Sequence, residues 1–140
     1  MKKYINISVI TILAAITFIG CKGYDEGPEF SMLTPEFRMK GVWEQKELYI
    51  NDALQENSAL SYKFTFNSDK TGTRQTTFLG NSSTVSFEWK FSDDKAILMT
   101  KDEGSETWEE ATILRLTNKE CWIIEDAGLL GMWEFRFEKL

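Results

Sequence analysis

The sequence has no histidine, two cysteines and two prolines among its 140 residues. Without histidine there is no imidazole for general-base, nucleophile-activating or metal-ligating work. Two cysteines allow at most one disulfide, which excludes a disulfide-stapled scaffold and a thiolate metal cluster. Positive charge is scarce: 16 Lys and Arg stand against 22 Asp and Glu, a formal charge of −6. That balance disfavours nucleic acid and anionic membrane surfaces as partners. Long apolar runs are also missing, with one exception at the N-terminus.

That exception is Tyr4 to Gly20, a charge-free stretch rich in Ile, Leu, Ala and Val behind Lys2 and Lys3. A short basic region followed by an apolar core has the form of a secretory leader, and it falls short of the roughly 20 apolar residues a membrane-spanning helix needs. The small residue Gly20 stands directly before Cys21, so residues 1–20 are expected to be removed. Phe18-Ile19-Gly20-Cys21 resembles a bacterial lipobox, with Phe18 at a position usually held by Leu. The resemblance implies cleavage before Cys21, a diacylglycerol on its sulfur and acylation of its new amino group. One acyl chain holds a protein to a bilayer only marginally, and two or three hold it firmly. The expected localisation is the cell envelope, as an outer-membrane lipoprotein. Loss of the leader removes two lysines and no acid, so the mature charge becomes two units more negative.

With Cys21 assigned to lipid, Cys121 has no intramolecular partner. It lies in the apolar run Cys121-Trp122-Ile123-Ile124 and reads as a small core residue. Residues 21–33, with Gly, Pro and acids and no periodicity, read as a tether. Thr34-Pro35 through Gly41 carries an N-capping residue, a proline at the first helical position and a terminal glycine, the signature of one short helical turn.

From residue 42 onward the period is two. Eight strands are predicted: 42–51, 60–67, 73–79, 84–91, 96–101, 106–117, 121–125 and 132–139, joined by short turn-forming links. Successive short links make an antiparallel meander, and eight such strands lose both edges by closing into an up-and-down β-barrel over residues 34–140. A two-sheet β-sandwich satisfies the same alternation. Tyr62, Phe64 and Phe66, then Val85, Phe87, Trp89 and Phe91, then Trp133, Phe135 and Phe137 form apolar faces, while Lys63, Glu88, Lys90, Glu134, Arg136 and Glu138 belong in water.

Sites of chemistry are few. Asn67-Ser68-Asp69-Lys70-Thr71-Gly72 resembles the first half of a calcium loop, but Phe78 stands where the closing carboxylate belongs, so a hairpin turn is expected and no metal. Asp93-Asp94 and Glu109-Glu110 are adjacent pairs, and neighbours in a strand face opposite sides, so neither reads as a paired catalytic site. No catalytic set and no cofactor site emerges. Asn81-Ser82-Ser83 reads as a turn.

Gly41-Val42-Trp43, placed after a helical turn and opening the first strand, resembles the G-x-W motif of the lipocalins. The resemblance covers about residues 34–140, most closely the small lipocalin-like domains of Bacteroidetes-type surface lipoproteins. Asp25, Glu26 and Glu29 loosely resemble their surface-export signal. It implies a barrel with Gly41 and Trp43 at the closed end, Arg136 packed across Trp43, and an interior that takes a small, mainly apolar ligand. Candidate cavity residues are Phe64, Phe87, Trp89 and Phe135. Strict alternation from Trp43 also brings Glu47 inward, and alternation from Trp108 brings Glu110, unless a bulge shifts the phase. Thr73-Arg74-Gln75-Thr76-Thr77 is polar on both faces, which suits either a solvated strand or a polar pocket. The competing function is a protein-interaction module with a filled core and an unknown partner, using Leu129 and Leu130; these two are otherwise expected to fold over the barrel end.

Overall fold

A computed structural model of the chain describes Tyr24 and residues 32–140. The expected leader, Cys21 and nearly all of the expected tether lie outside the described residues. The helical turn forms where proline and its cap direct it: α1 spans Pro35–Met39, and the Thr34 hydroxyl accepts from the Phe37 N–H at 3.2 Å.

Nine strands follow: β1 Gly41–Ile50, β2 Ala53–Leu54, β3 Leu60–Phe66, β4 Thr71–Phe78, β5 Asn81–Phe91, β6 Ile97–Asp102, β7 Glu109–Leu116, β8 Glu120–Asp126 and β9 Met132–Lys139. They form one antiparallel sheet in the order β2-β1-β3-β4-β5-β6-β7-β8-β9, and β1 also pairs with β9 from Trp43↔Lys139 to Ile50↔Trp133. That pairing closes an eight-stranded barrel, with the two-residue β2 as a ribbon on the end of β1. Closure removes the sandwich alternative, because both edges of a single sheet are used up.

Two local features depart from the expected strands. Leu79 and Gly80, with φ of 50° and 82°, turn the chain in two residues, so β5 begins at Asn81. Asn81, Ser82 and Ser83 therefore lie in a strand opposite Phe78, Thr77 and Thr76 rather than in a turn. In β1 the register shifts between Gln45 and Glu47, a bulge that reverses which side chains point inward.

The interior is densest at the α1 end. Trp43, Trp89, Met39 and Leu116 are almost wholly buried there, and each such side chain contributes about 1.5–3 kcal/mol of burial. Phe66 meets Phe87 and Trp89 edge-on, with ring centroids 5.4 and 5.5 Å apart. Gly72 makes this packing feasible, because a side chain there would run into the Phe87 ring and the Thr65 carbonyl oxygen.

Candidate functional site at the open barrel end

The two barrel ends differ. At the closed end the Trp43 indole N–H donates to the Met39 carbonyl at 2.7 Å, and Arg38 Nη1 donates to the Leu116 carbonyl at 2.5 Å. The cation on Trp43 is Lys139, not Arg136. Its Nζ lies 4.7 Å from the ring centroid and donates to the carbonyls of Arg38 and Lys40 at 2.5 and 2.7 Å. Burial pushes the Lys139 ammonium below the ordinary lysine value.

Arg136 is on the outside of the barrel, because Phe135 and Phe137 occupy the inward phase of β9. Its guanidinium sits 4.1 Å over Trp122 and 4.4 Å over Tyr49, paired with Glu134 at 2.6 Å and Glu47 at 3.3 Å. The expected Arg136–Trp43 stack is thus replaced by an exterior cluster. Glu47 belongs to that cluster and not to a cavity, since the β1 bulge turns it outward and buries Leu48 instead. Glu110 is likewise out of phase: Ala111 and Ile113 are the buried residues of β7, and Glu110 borders the interior space from an exposed position. Trp108, from which that phase was reckoned, lies against Lys90 and Lys101.

Opposite the closed end a recess of about 60 Å³ reaches down to Trp43 and is lined above it by Phe64, Phe137, Leu98, Ile123 and Cys121. It continues into a wider mouth of about 310 Å³, where Tyr62, Phe64, Phe135 and Phe137 form one wall. Tyr62 meets Phe135 edge-on at 5.5 Å, and Phe64 meets Phe137 at 5.4 Å. Phe64 and Phe135 thus take the expected lining role. Phe87 and Trp89 are buried in the packed half and border neither space.

The other wall is charged, and sequence reasoning missed its members. Arg74, Glu109 and Glu125 face the mouth. Arg74 donates to Asp102 at 2.5 Å and lies 3.6 Å from Glu109. Glu125 is half-buried and has no hydrogen bond or ion pair to another described side chain; burial, then the neighbouring Glu109, push its carboxyl above the ordinary value, with Arg74 pulling it back. The signals were present. Arg74 is in the strand flagged as polar on both faces, and Glu125 is in phase with Cys121 and Ile123, which are buried.

Cys121 is 4% exposed, and its thiol is pushed up to about 12 by burial, which keeps it neutral. The Asn67–Gly72 segment is a turn: Asp69 accepts from the Thr71 N–H and hydroxyl at 3.0 and 2.6 Å. Among the described residues no cluster of acidic or sulfur side chains suits a metal ion, and no helix is long and apolar enough to cross a membrane. Leu129 and Leu130, on a 3₁₀ turn at Gly128–Leu130, do not fold over the barrel end; they are 107% and 64% exposed on its rim.

No family model and no curated protein matches this chain. Among solved structures, the crystal structure of lobster apocrustacyanin A1 is similar at 16% identity and a TM-score of 0.45, covering 74% of this chain and 61% of that one. This chain therefore spans about three-fifths of that protein's length, and so distant a likeness carries no argument about function.

Proposed function

We propose that this protein is a lipid-anchored, non-enzymatic binding protein of the cell envelope whose barrel holds a small, mainly apolar ligand at its open end. The observation that carries this reading is the aromatic-walled recess that opens away from Trp43. Its narrow floor and wider mouth together suit a compact guest, at the lower end of the roughly 300–1,000 Å³ range of ligand pockets. The lipid anchor rests on the Phe18-Ile19-Gly20-Cys21 sequence. Tyr24, three residues later, packs against the core with Arg38 5.7 Å from its ring centroid, at the closed end. An acylated Cys21 would then hold that end near the bilayer and point the mouth away from it.

A second reading has its own support. Leu129, Leu130, Phe78 and Leu79 expose apolar surface around the mouth, as a protein-docking rim does. Titrating delipidated protein with a panel of small apolar compounds, followed by tryptophan emission and melting temperature, separates the two. Saturable shifts are expected. Their absence across the panel overturns the container reading and leaves the rim as the functional surface. Mass spectrometry of the membrane fraction tests the anchor: an acylated Cys21 as first residue is expected, and an unmodified Cys21 refutes it.

A further inference from the structure

The ligand class of the open-end site follows from its charge. Resting on the container reading above, we propose that the preferred guest is a small organic cation, an amine carrying a compact apolar or aromatic body, with its ammonium held beside Glu125 and Glu109 and its body in the aromatic recess.

Three carboxyls, Asp102, Glu109 and Glu125, surround one guanidinium, Arg74, at the mouth. Arg74 is committed to Asp102 at 2.5 Å, so its charge is already compensated. An incoming carboxylate would compete with that pair and meet two further carboxyls. Glu125 has no such partner, and one oxygen of Asp102, Oδ1, is buried without a hydrogen-bond partner among the described residues. Acceptors and negative charge are in surplus, and an ammonium supplies three donors and no acceptor. The facing rings Tyr62, Phe64 and Phe135 add the negative faces on which cations rest.

The surroundings act in the same direction over a longer range. The segments that build the open end, residues 51–60, 77–86, 102–113 and 124–135, contain ten acids and no Lys or Arg. The closed end is instead mixed in sign, with Arg38, Lys40, Lys70, Lys95, Lys119 and Lys139 set among Glu36, Asp69, Asp93, Asp94, Glu120 and Glu138. A mouth whose acids outnumber its one guanidinium, Arg74, set in low-dielectric walls, concentrates cations and speeds their capture.

The test is isothermal titration of the folded protein at neutral pH with phenethylamine, phenethyl alcohol and hydrocinnamate, which share an aromatic body and differ in head-group charge. The amine is expected to bind about tenfold or more tightly than the alcohol, and hydrocinnamate most weakly. Glu125→Gln should reduce amine affinity about tenfold and leave the alcohol within about twofold, and Glu109→Gln should do the same more weakly because that side chain is more exposed. If none of the three binds while other apolar compounds of the panel do, the container stands and the cation assignment is wrong; if nothing in the panel binds either, both fail. If the alcohol or hydrocinnamate binds as tightly as the amine, the container stands and the cation assignment is wrong. An amine preference unchanged in both variants, each melting as the parent does, also overturns it.

Discussion

Replacing Lys139 with Met should destabilise the barrel more than replacing Arg136 with Met, although Arg136 has the larger number of charged and aromatic neighbours. Met keeps most of the lysine stem, so the change isolates the ammonium. Lys139 Nζ serves two backbone carbonyls, of Arg38 and Lys40, beneath the Trp43 ring. Hydrogen bonds from a charged donor are worth about 1.5–3 kcal/mol each, and a buried acceptor left unpaired carries the full desolvation cost. Part of this is offset by no longer desolvating an ammonium, which leaves an expected loss of about 2–3 kcal/mol. Arg136 sits on the outer face; Glu47 turns to water when it is removed, while Glu134, with a side chain 14% exposed, is left partly covered. Exposed pairs contribute about 0.2–1 kcal/mol each, the Glu134 pair stands at or above the top of that range, and Met retains contact with Trp122, so about 1–2 kcal/mol is expected. Urea unfolding followed by tryptophan emission reads both as midpoint shifts at unchanged slope. A larger midpoint drop for Arg136→Met would refute the assignment of Lys139 as the residue that seals the Trp43 end.

Gly72→Ala should cost about 1–3 kcal/mol or more through overpacking, and adding Phe87→Leu should recover only part, because the Thr65 carbonyl oxygen also blocks the new methyl and is backbone; full recovery in thermal unfolding would contradict this. Glu125 has a folded-state pKa raised above its ordinary 4.5, so the folded state holds that proton more tightly and its contribution to stability is lost as pH rises from about that value through the folded pKa. Glu125→Gln should flatten that fall in a melting-temperature profile against pH, and an unchanged profile would show that the carboxyl is not desolvated. Cys121 should stay unreactive toward a thiol reagent in the native protein and react fully in urea, and rapid native labelling would contradict its burial.

Much of the fold was legible because closed sheets impose a strict period. Of the expected inward sets, Phe66, Phe87, Trp89, Phe91, Phe135 and Phe137 are buried and Tyr62, Phe64 and Trp133 pack partly buried against them, whereas Val85, near the open end of β5, is 36% exposed; Thr34-Pro35 starts the helical turn that caps the barrel. Phase errors arose where the period breaks. The bulge allowed for after Trp43 is present, between Gln45 and Glu47, and sends Glu47 out and Leu48 in, so Glu47 is no cavity residue; no local propensity marks its position. Trp108 misled in a different way: it stands before β7 begins at Glu109 and lies against two lysines outside, so an aromatic residue gave the wrong face. The site was less legible than the fold because it depends on pairs distant in sequence. Arg74 and Asp102 meet only because β4, β5 and β6 are consecutive neighbours, and Lys139 reaches Trp43 only because the first and last strands pair.

The central claim, that the mouth above Trp43 is the binding site, is tested most directly by the amide spectrum of the isotopically labelled protein during titration with phenethylamine. The account predicts saturable shifts at the open halves of β3, β4, β7, β8 and β9, centred on Phe64, Arg74, Glu109, Glu125 and Phe135. Shifts confined to the rim around Leu129 and Leu130, or scattered changes that never saturate, would contradict it.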